Sequence, residues 1–446
     1  MHRAGPGSFA NERTGVQLLG HVVATLDAID AANGTLLALL PEEGRRTRLL
    51  LEAQALVERW PDAATRPALF GVLVGIKDVL HVDGLPTRAG SALPPAALAG
   101  AEGTLVRRLR AQGALILGKT VTAEFAFADA GATCNPHNPG HTPGGSSSGS
   151  AALVGAGLLP LAIGTQTVGS VIRPAAYCGA VGYVPSRGRL PLDGLLCVAR
   201  SVDTLGLFTR DAASMHAVAR VLLDGWRDDA GSALPEDAPI HLLVPDGAFM
   251  AQVDTEAAGH FEVTLQRLQA AGVTVEVMSI FADLDGIALR HARLVRREFA
   301  DEHAERFAQW GALYRPGSTQ GVREGQAVQA DDYAEALAST QQLRARLDIA
   351  LASRRAVAWL CPAARGAAPA GLWSTGDPAM NMPFSHAGVP AITIPCGRVP
   401  VPGGDLPLGL QLVGAFGEDE ALLALAERLA ALLPSTEQGP GSTPQP

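Results

Sequence analysis

A single large α/β domain, with a central mixed β-sheet flanked by helices, is the fold predicted by this chain of 446 residues. Three observations carry the expectation. Short apolar runs of strand length alternate with helix-periodic stretches from one end to the other, the pattern of layered α/β proteins. Hydrophobic residues make up 47% of the chain, ample for one large core, and only 18% are charged. No internal repeat divides the chain, so a length that would allow two or three domains is read as one.

The elements follow in order. The segment 1–64 reads as helical, because residues 15–32 and 42–59 carry helical periodicity, with Leu19, Val22, Val23 and Leu26 on one face. Residues 65–224 read as the core. Within them Val72–Ile76 is a buried strand, 103–112 a helix stopped by Gly113, and Ala114–Leu117 a second short strand. Residues 131–150 have the Gly, Pro, Ser, Thr and Asn content of an ordered loop, and a helix begins near Ser148 and runs through Ala156. The stretch 225–350 reads as a peripheral, substrate-pocket region: strand Ile240–Val244, helix 254–271, strand Val273–Met278, an arginine-rich helix near 286–309 and another helix over 332–353. The C-terminal part of the core, 351–434, holds strands at Ala391–Ile394 and Leu408–Leu412 and a closing helix at 418–432. Residues 435–446 have the composition of a disordered tail.

Composition excludes several functions. Net charge is −9 with no basic block, so a nucleic-acid binder's electrostatic footprint is missing. The apolar stretch Ala151–Ile163 is broken by Gly155, Gly157 and Pro160 and is too short to span a bilayer. Residues 1–15 are polar and lack the apolar core of a signal peptide. The five cysteines (Cys134, Cys178, Cys197, Cys361, Cys396) show no C-x-x-C spacing and read as free buried thiols in a reducing, cytoplasmic compartment. His137 with His141, and His291 with His303, lack a metal-ligand context, so no metal is expected.

Positive charge comes from 33 arginines and only two lysines, Lys77 and Lys119. Arginine cannot exchange a proton near neutral pH, whereas burial can drive a lysine neutral. Lys77 lies in Gly75-Ile76-Lys77-Asp78-Val79, directly after the first strand. Downstream, Pro143-Gly144-Gly145-Ser146-Ser147-Ser148-Gly149-Ser150 runs straight into a helix-forming stretch, which argues against a linker. A second block, Gly164-Thr165-Gln166-Thr167-Val168-Gly169-Ser170, again places a serine behind a glycine after an apolar strand. Two serines on tight turns and one lysine could form a proton relay, since serine needs a base and a desolvated lysine can serve. Gly113–Thr120 also spells the phosphate-loop string G-x-x-x-x-G-K-[ST]. A helix precedes its first glycine and the intervening residues are strand-like, so it lacks a nucleotide site's context. Lys119 is then expected in the core or just behind the site.

The I-K-D segment, the G-G-S-S-x-G-S-A-A loop and the G-T-x-T-x-G-S-x-x-x-P-A-A segment together resemble the amidase signature family. The similarity extends to Gly118-Lys119-Thr120, Glu124-Phe125-Ala126, Asn135-Pro136, Asn381, Gly388–Ile392, Pro395 and Leu406–Gln411. The resemblance implies the amidase signature fold and a stand-alone amidase that hydrolyses a small carboxylic amide without a cofactor. Carried over, the catalytic lysine falls on Lys77, the bridging serine behind a cis peptide on Ser146, and the nucleophile on Ser170. The oxyanion hole falls on the backbone N–H groups of Thr167, Val168, Gly169 and Ser170. Ser147, Gln166 and Arg173 are expected as supports; Asp78, read from its place beside Lys77, could support the lysine electrostatically or equally cap a turn. The implied partner is a small amide, with no nucleic acid or membrane; a homodimer stays open.

The chain departs from the family pattern at Gln166, usually Asp, at Val168, usually a small residue, and at Arg173, one place later than the family's arginine. The Gln166 and Arg173 changes are expected to belong together, as one ion pair rewritten. An acyl pocket is expected from regions 286–315 and 371–385, with Phe125, Trp373, Met380, Met382 and Phe384 as apolar surface. The alternative is an amidotransferase-type subunit that releases ammonia from glutamine within a complex. Such subunits typically carry a tyrosine-rich R-x-D-G segment, where this chain has Trp310-Gly311-Ala312-Leu313-Tyr314-Arg315-Pro316-Gly317.

Overall fold

The structure is a computed structural model that describes residues 14–228 and 238–433; the expected tail at 435–446 lies outside the described residues. Helices α1 (Gly15–Leu36) and α2 (Arg45–Arg59) form the N-terminal segment. Thr14 and Gln17 close a reciprocal capping box that starts α1. The core begins with β1 (Leu73–Lys77), α3 (Thr104–Ala111), β2 (Leu115–Thr120), α4 (Ser148–Gly155) and β3 (Leu161–Gln166). It continues through α5 (Ile172–Cys178), β4 (Val181–Val184), β5 (Thr204–Thr209) and α6 (Ala212–Leu222). Next come β6 (His241–Pro245), α7 (Gly247–Met250), α8 (Thr255–Ala270), β7 (Thr274–Met278), α9 (Leu284–Trp310), α10 (Pro316–Gln326) and α11 (Ala330–Arg354). The chain closes with β8 (Ala358–Pro362), α12 (Met382–Ala387), β9 (Ala391–Val401), β10 (Gly404–Val413) and α13 (Asp419–Leu432).

All ten strands lie in one mixed sheet of order β2-β1-β3-β5-β4-β9-β10-β8-β6-β7. Its two ends are parallel, β2-β1-β3 and β8-β6-β7. Its middle, from β3 through β5, β4, β9 and β10 to β8, is antiparallel. The expected α/β domain with a central mixed sheet is what forms. The stretch 225–350 supplies β6 and β7 to one end of this sheet and α9, α10 and α11 to a helical layer. No helix among the described residues is long and apolar enough to cross a membrane.

The elements that periodicity left unassigned have a physical reason. Strands β4, β5 and β8 are buried at every position, so they show no alternation of apolar and polar residues. Helix α10 contains Gly317, Gly321 and Gly325, which are poor helix formers. A Cβ at Gly325 would lie 1.9 Å from the Arg296 carbonyl oxygen, so the close approach of α9 requires glycine there. Strand β2 runs further than expected and includes Lys119, because Ile76 pairs with Lys119 and Lys77 with Thr120 in parallel register. The phosphate-loop string is therefore mostly strand.

Candidate active site

Lys77 ends β1, between β2 and β3, and its side chain is fully buried. Its Nζ donates to Ser146 Oγ at 2.7 Å and to Thr165 Oγ1 at 2.7 Å, with the Thr165 carbonyl at 3.5 Å. Both close partners are hydroxyls. Burial holds the Lys77 amine well below its usual pKa, and the negative charge of Asp203 opposes that only in part.

The serine-rich block is a tightly bonded loop. Ser147 Oγ donates to the Thr165 carbonyl at 3.2 Å and accepts the Thr165 N–H at 3.3 Å, stitching the start of α4 to β3. Ser148 donates to the Val121 carbonyl and Ser150 to the Ile163 carbonyl. Ser146 differs from these three: its hydroxyl meets the lysine, and the Gly145–Ser146 peptide that carries it is cis.

Ser170 occupies the turn between β3 and α5, with 8% of its surface exposed. Lys77 and Ser146 are joined directly, whereas among the described residues no hydrogen bond reaches the Ser170 hydroxyl. The N–H groups of Val168, Gly169 and Ser170 likewise have no protein acceptor among the described residues. The carbonyls of the same turn are held: Ser385 Oγ donates to Val168 at 2.6 Å, and the Arg173 N–H to Gly169 at 3.1 Å.

The supporting residues have specific partners. Gln166 Oε1 accepts the N–H groups of Val171 at 2.9 Å and Ile172 at 3.0 Å, capping the start of α5, while its Nε2 donates to Ser385 Oγ at 3.0 Å. Arg173 donates from Nη2 to the Gly145 carbonyl at 2.7 Å and from Nε to the Thr375 carbonyl at 2.8 Å. Gln166 and Arg173 thus have separate partners, which corrects the expectation of a rewritten pair. A glutamine is a neutral amide that satisfies backbone donors, and the guanidinium binds carbonyls next to Ser146 instead.

Asp78, expected beside Lys77 as a support, instead forms an ion pair with Lys119 at 2.8 Å and accepts the N–H groups of Arg88 and Ala89. Asp78 lies just past the end of β1, in the turn that follows it, and its carboxylate is taken up by Lys119 and the Arg88–Ala89 backbone. The carboxylate whose charge acts on Lys77 is Asp203. It accepts the Thr167 hydroxyl at 2.5 Å and the N–H groups of Val198 and Ala199, and burial raises its pKa to about 6.

Gly169 has Asn381 Oδ1 and Arg173 Nη1 around it; a Cβ there would lie 2.5 Å and 2.9 Å from them, so any larger residue would displace one or both. Of the residues expected as apolar surface, Phe125, Met380, Met382 and Phe384 are buried, and Phe384 packs edge-on to Phe249 and Phe281. Trp373 is 83% exposed. Thr165, Asp203, Thr375 and Ser385 escaped the sequence reading. Thr165 lies inside the G-T-x-T segment and could have been found there. Ser385 is 217 positions from Val168 and carries no local signal.

A family model described as Amidase matches residues 22–423. A glutamyl-tRNA(Gln) amidotransferase subunit from Salinibacter ruber is 36% identical over 230 residues, 48% of this chain and 45% of that protein. The chain thus spans about half the length of the curated relatives it matches. A solved structure titled "Crystal structure of amidase" superposes with a TM-score of 0.80 at 33% identity, covering 95% of this chain and 97% of that one. The native peptide amidase from Stenotrophomonas maltophilia superposes with a TM-score of 0.76 at 25% identity over 94% of both chains.

Proposed function

The chain belongs to the amidase family, and from that premise we propose that it hydrolyses a small carboxylic amide through a Ser170 acyl-enzyme, with Lys77 and Ser146 as its proton relay. The observation that carries this reading is a fully buried amine held between two hydroxyls at 2.7 Å, with no carboxylate of the described residues bonded to it. Burial favours the neutral form of such an amine, whose lone pair can accept a proton.

In the proposed reaction the Ser170 proton passes to Ser146 as the Ser146 proton passes to Lys77 Nζ. Ser170 Oγ then bonds to the amide carbon, and the carbonyl oxygen becomes an oxyanion. The N–H groups of Val168, Gly169 and Ser170, unspent among the described residues, suit that charge, with Thr167 as the fourth donor the family resemblance implies. The relay returns the proton to the departing nitrogen, the C–N bond breaks, and ammonia or an amine leaves. Water then attacks the ester along the same relay, releasing the acid and free Ser170. Arg173 holds the Gly145 carbonyl beside Ser146, Ser147 ties the loop to β3, and Gln166 caps the helix behind the nucleophile. The five buried free thiols suit the cytoplasmic setting proposed for it.

The amidotransferase relatives keep a second reading in view, in which the chain releases ammonia from glutamine inside a complex. Fluorophosphonate labelling of the purified chain, mapped by peptide mass, separates the two. Label on Ser170 that disappears in Lys77→Ala supports the self-sufficient hydrolase. Folded protein that takes no label sinks that reading and moves the partner-dependent one forward.

A further inference from the structure

The oxyanion donors proposed above are backbone groups, and something must aim them. A trans peptide holds its N–H and C=O antiparallel in one plane, so fixing the carbonyl fixes the direction of the N–H. The Gly169 N–H shares its plane with the Val168 carbonyl, which Ser385 Oγ grips at 2.6 Å from α12. The Ser170 N–H shares its plane with the Gly169 carbonyl, which the Arg173 N–H holds at 3.1 Å. The second grip is the first turn of a helix and is available to any sequence. The first is made by a side chain from a remote element.

Ser385 can make that grip only if its single proton points to Val168, and Gln166 decides this. The two N–H groups of Val171 and Ile172 face Gln166 Oε1, which fixes the orientation of the side-chain amide. Nε2 must then lie toward Ser385 Oγ, at 3.0 Å, and donate to it. Ser385 therefore accepts from Gln166 and donates to Val168. A carboxylate at position 166 could still cap Val171 and Ile172. Toward Ser385, however, it would present a second acceptor and compete for the proton that holds Val168.

We propose that Ser385, polarised by Gln166, is a positioning residue that aims the Gly169 N–H at the developing oxyanion. This rests on the Ser170 hydrolase reading and deepens it. It also gives the glutamine at 166 a function of its own, since a side-chain amide donates and accepts where an aspartate only accepts.

The test is the fluorophosphonate inactivation of full-length protein, resolved into kinact and KI, because phosphonylation of Ser170 also develops charge on an oxygen in the hole. Removing an oxyanion donor outright costs about 100- to 1,000-fold, so mis-aiming one is expected to cost on the order of 10- to 100-fold. Ser385→Ala is expected to lower kinact by that factor and leave KI within about twofold, with Ser385→Thr restoring most of the rate. Gln166→Glu is expected to lose a similar factor, and the double variant no more than the worse single one, because the two act as one unit. Equal kinact in wild type and Ser385→Ala, losses that multiply in the double variant, or a loss that falls on KI would each overturn the clamp. So would failure of Ser385→Thr to recover the rate while it melts like wild type. Wild-type protein that takes no label at Ser170 overturns the hydrolase reading itself, and the clamp with it.

Discussion

Lys77 and Lys119 stand on adjacent strands, one register step apart, and the protein treats them in opposite ways. Both are buried, and burial lowers both pKa values. Lys119 has a carboxylate, Asp78, at 2.8 Å and the Thr87 hydroxyl at 3.1 Å. Lys77 has the hydroxyls of Ser146 and Thr165 and, among the described residues, no carboxylate in hydrogen-bond contact. Placing an amine out of water does not by itself make a base; the partner decides. A contact carboxylate keeps the charge and turns the lysine into a structural tie, while hydroxyls leave the lone pair free and offer a path for the proton.

The largest losses are expected at the reacting groups. Ser170→Ala is expected to lower kcat by roughly 10⁴- to 10⁶-fold, measured as ammonia or amine release from a panel of small amides. Lys77→Met is expected to cost at least about 10³-fold, yet to melt close to wild type, since an apolar side chain removes the cost of burying an amine that has no contact carboxylate and this offsets the hydrogen bonds lost to Ser146 and Thr165. Lys119→Met is expected to do the reverse. It strands Asp78 in the interior and destabilises the fold by about 3–5 kcal/mol in urea titration, with kcat of the folded fraction within about threefold. If both methionine variants lose activity alike at equal stability, the contrast between the lysines is wrong.

pH sharpens the same contrast. The depressed Lys77 is the base only when neutral, so kcat/KM should fall as pH drops through its folded pKa. Asp203 raises that pKa, so Asp203→Asn should move the acidic limb to lower pH. A limb that stays in place or moves up would show that Asp203 does not act on the lysine. The smallest effect is expected within the serine block. Ser148→Ala loses one bond to the Val121 carbonyl, about 1 kcal/mol of stability, and changes kcat by no more than about twofold.

Much of this was legible along the chain. Scarcity singled out Lys77 and Lys119, and the Gly- and Ser-rich blocks after strands singled out Ser146 and Ser170, because tight turns need particular residues at particular positions. Helices α1, α2, α8, α9 and α11 showed in their periodicity, since each has one face turned to the core. The strands β4, β5 and β8 went unread: they are buried on both faces, so no alternation marks them, whereas β1 and β2, equally buried, stood out as apolar runs beside glycine-rich turns.

Local pattern therefore settled the class of fold and the residue types able to do chemistry, since backbone periodicity and turn geometry act over a few residues. Which carboxylate serves which lysine was a different kind of question. Asp78 is the next residue after Lys77, yet it pairs with Lys119, while Asp203 and Ser385 reach the turn from elements remote in sequence. Hydrogen bonds and charge contacts depend on distance in space, and only the packed sheet, with β1 between β2 and β3 and α12 laid against the Thr167–Ser170 turn, brings those groups within reach.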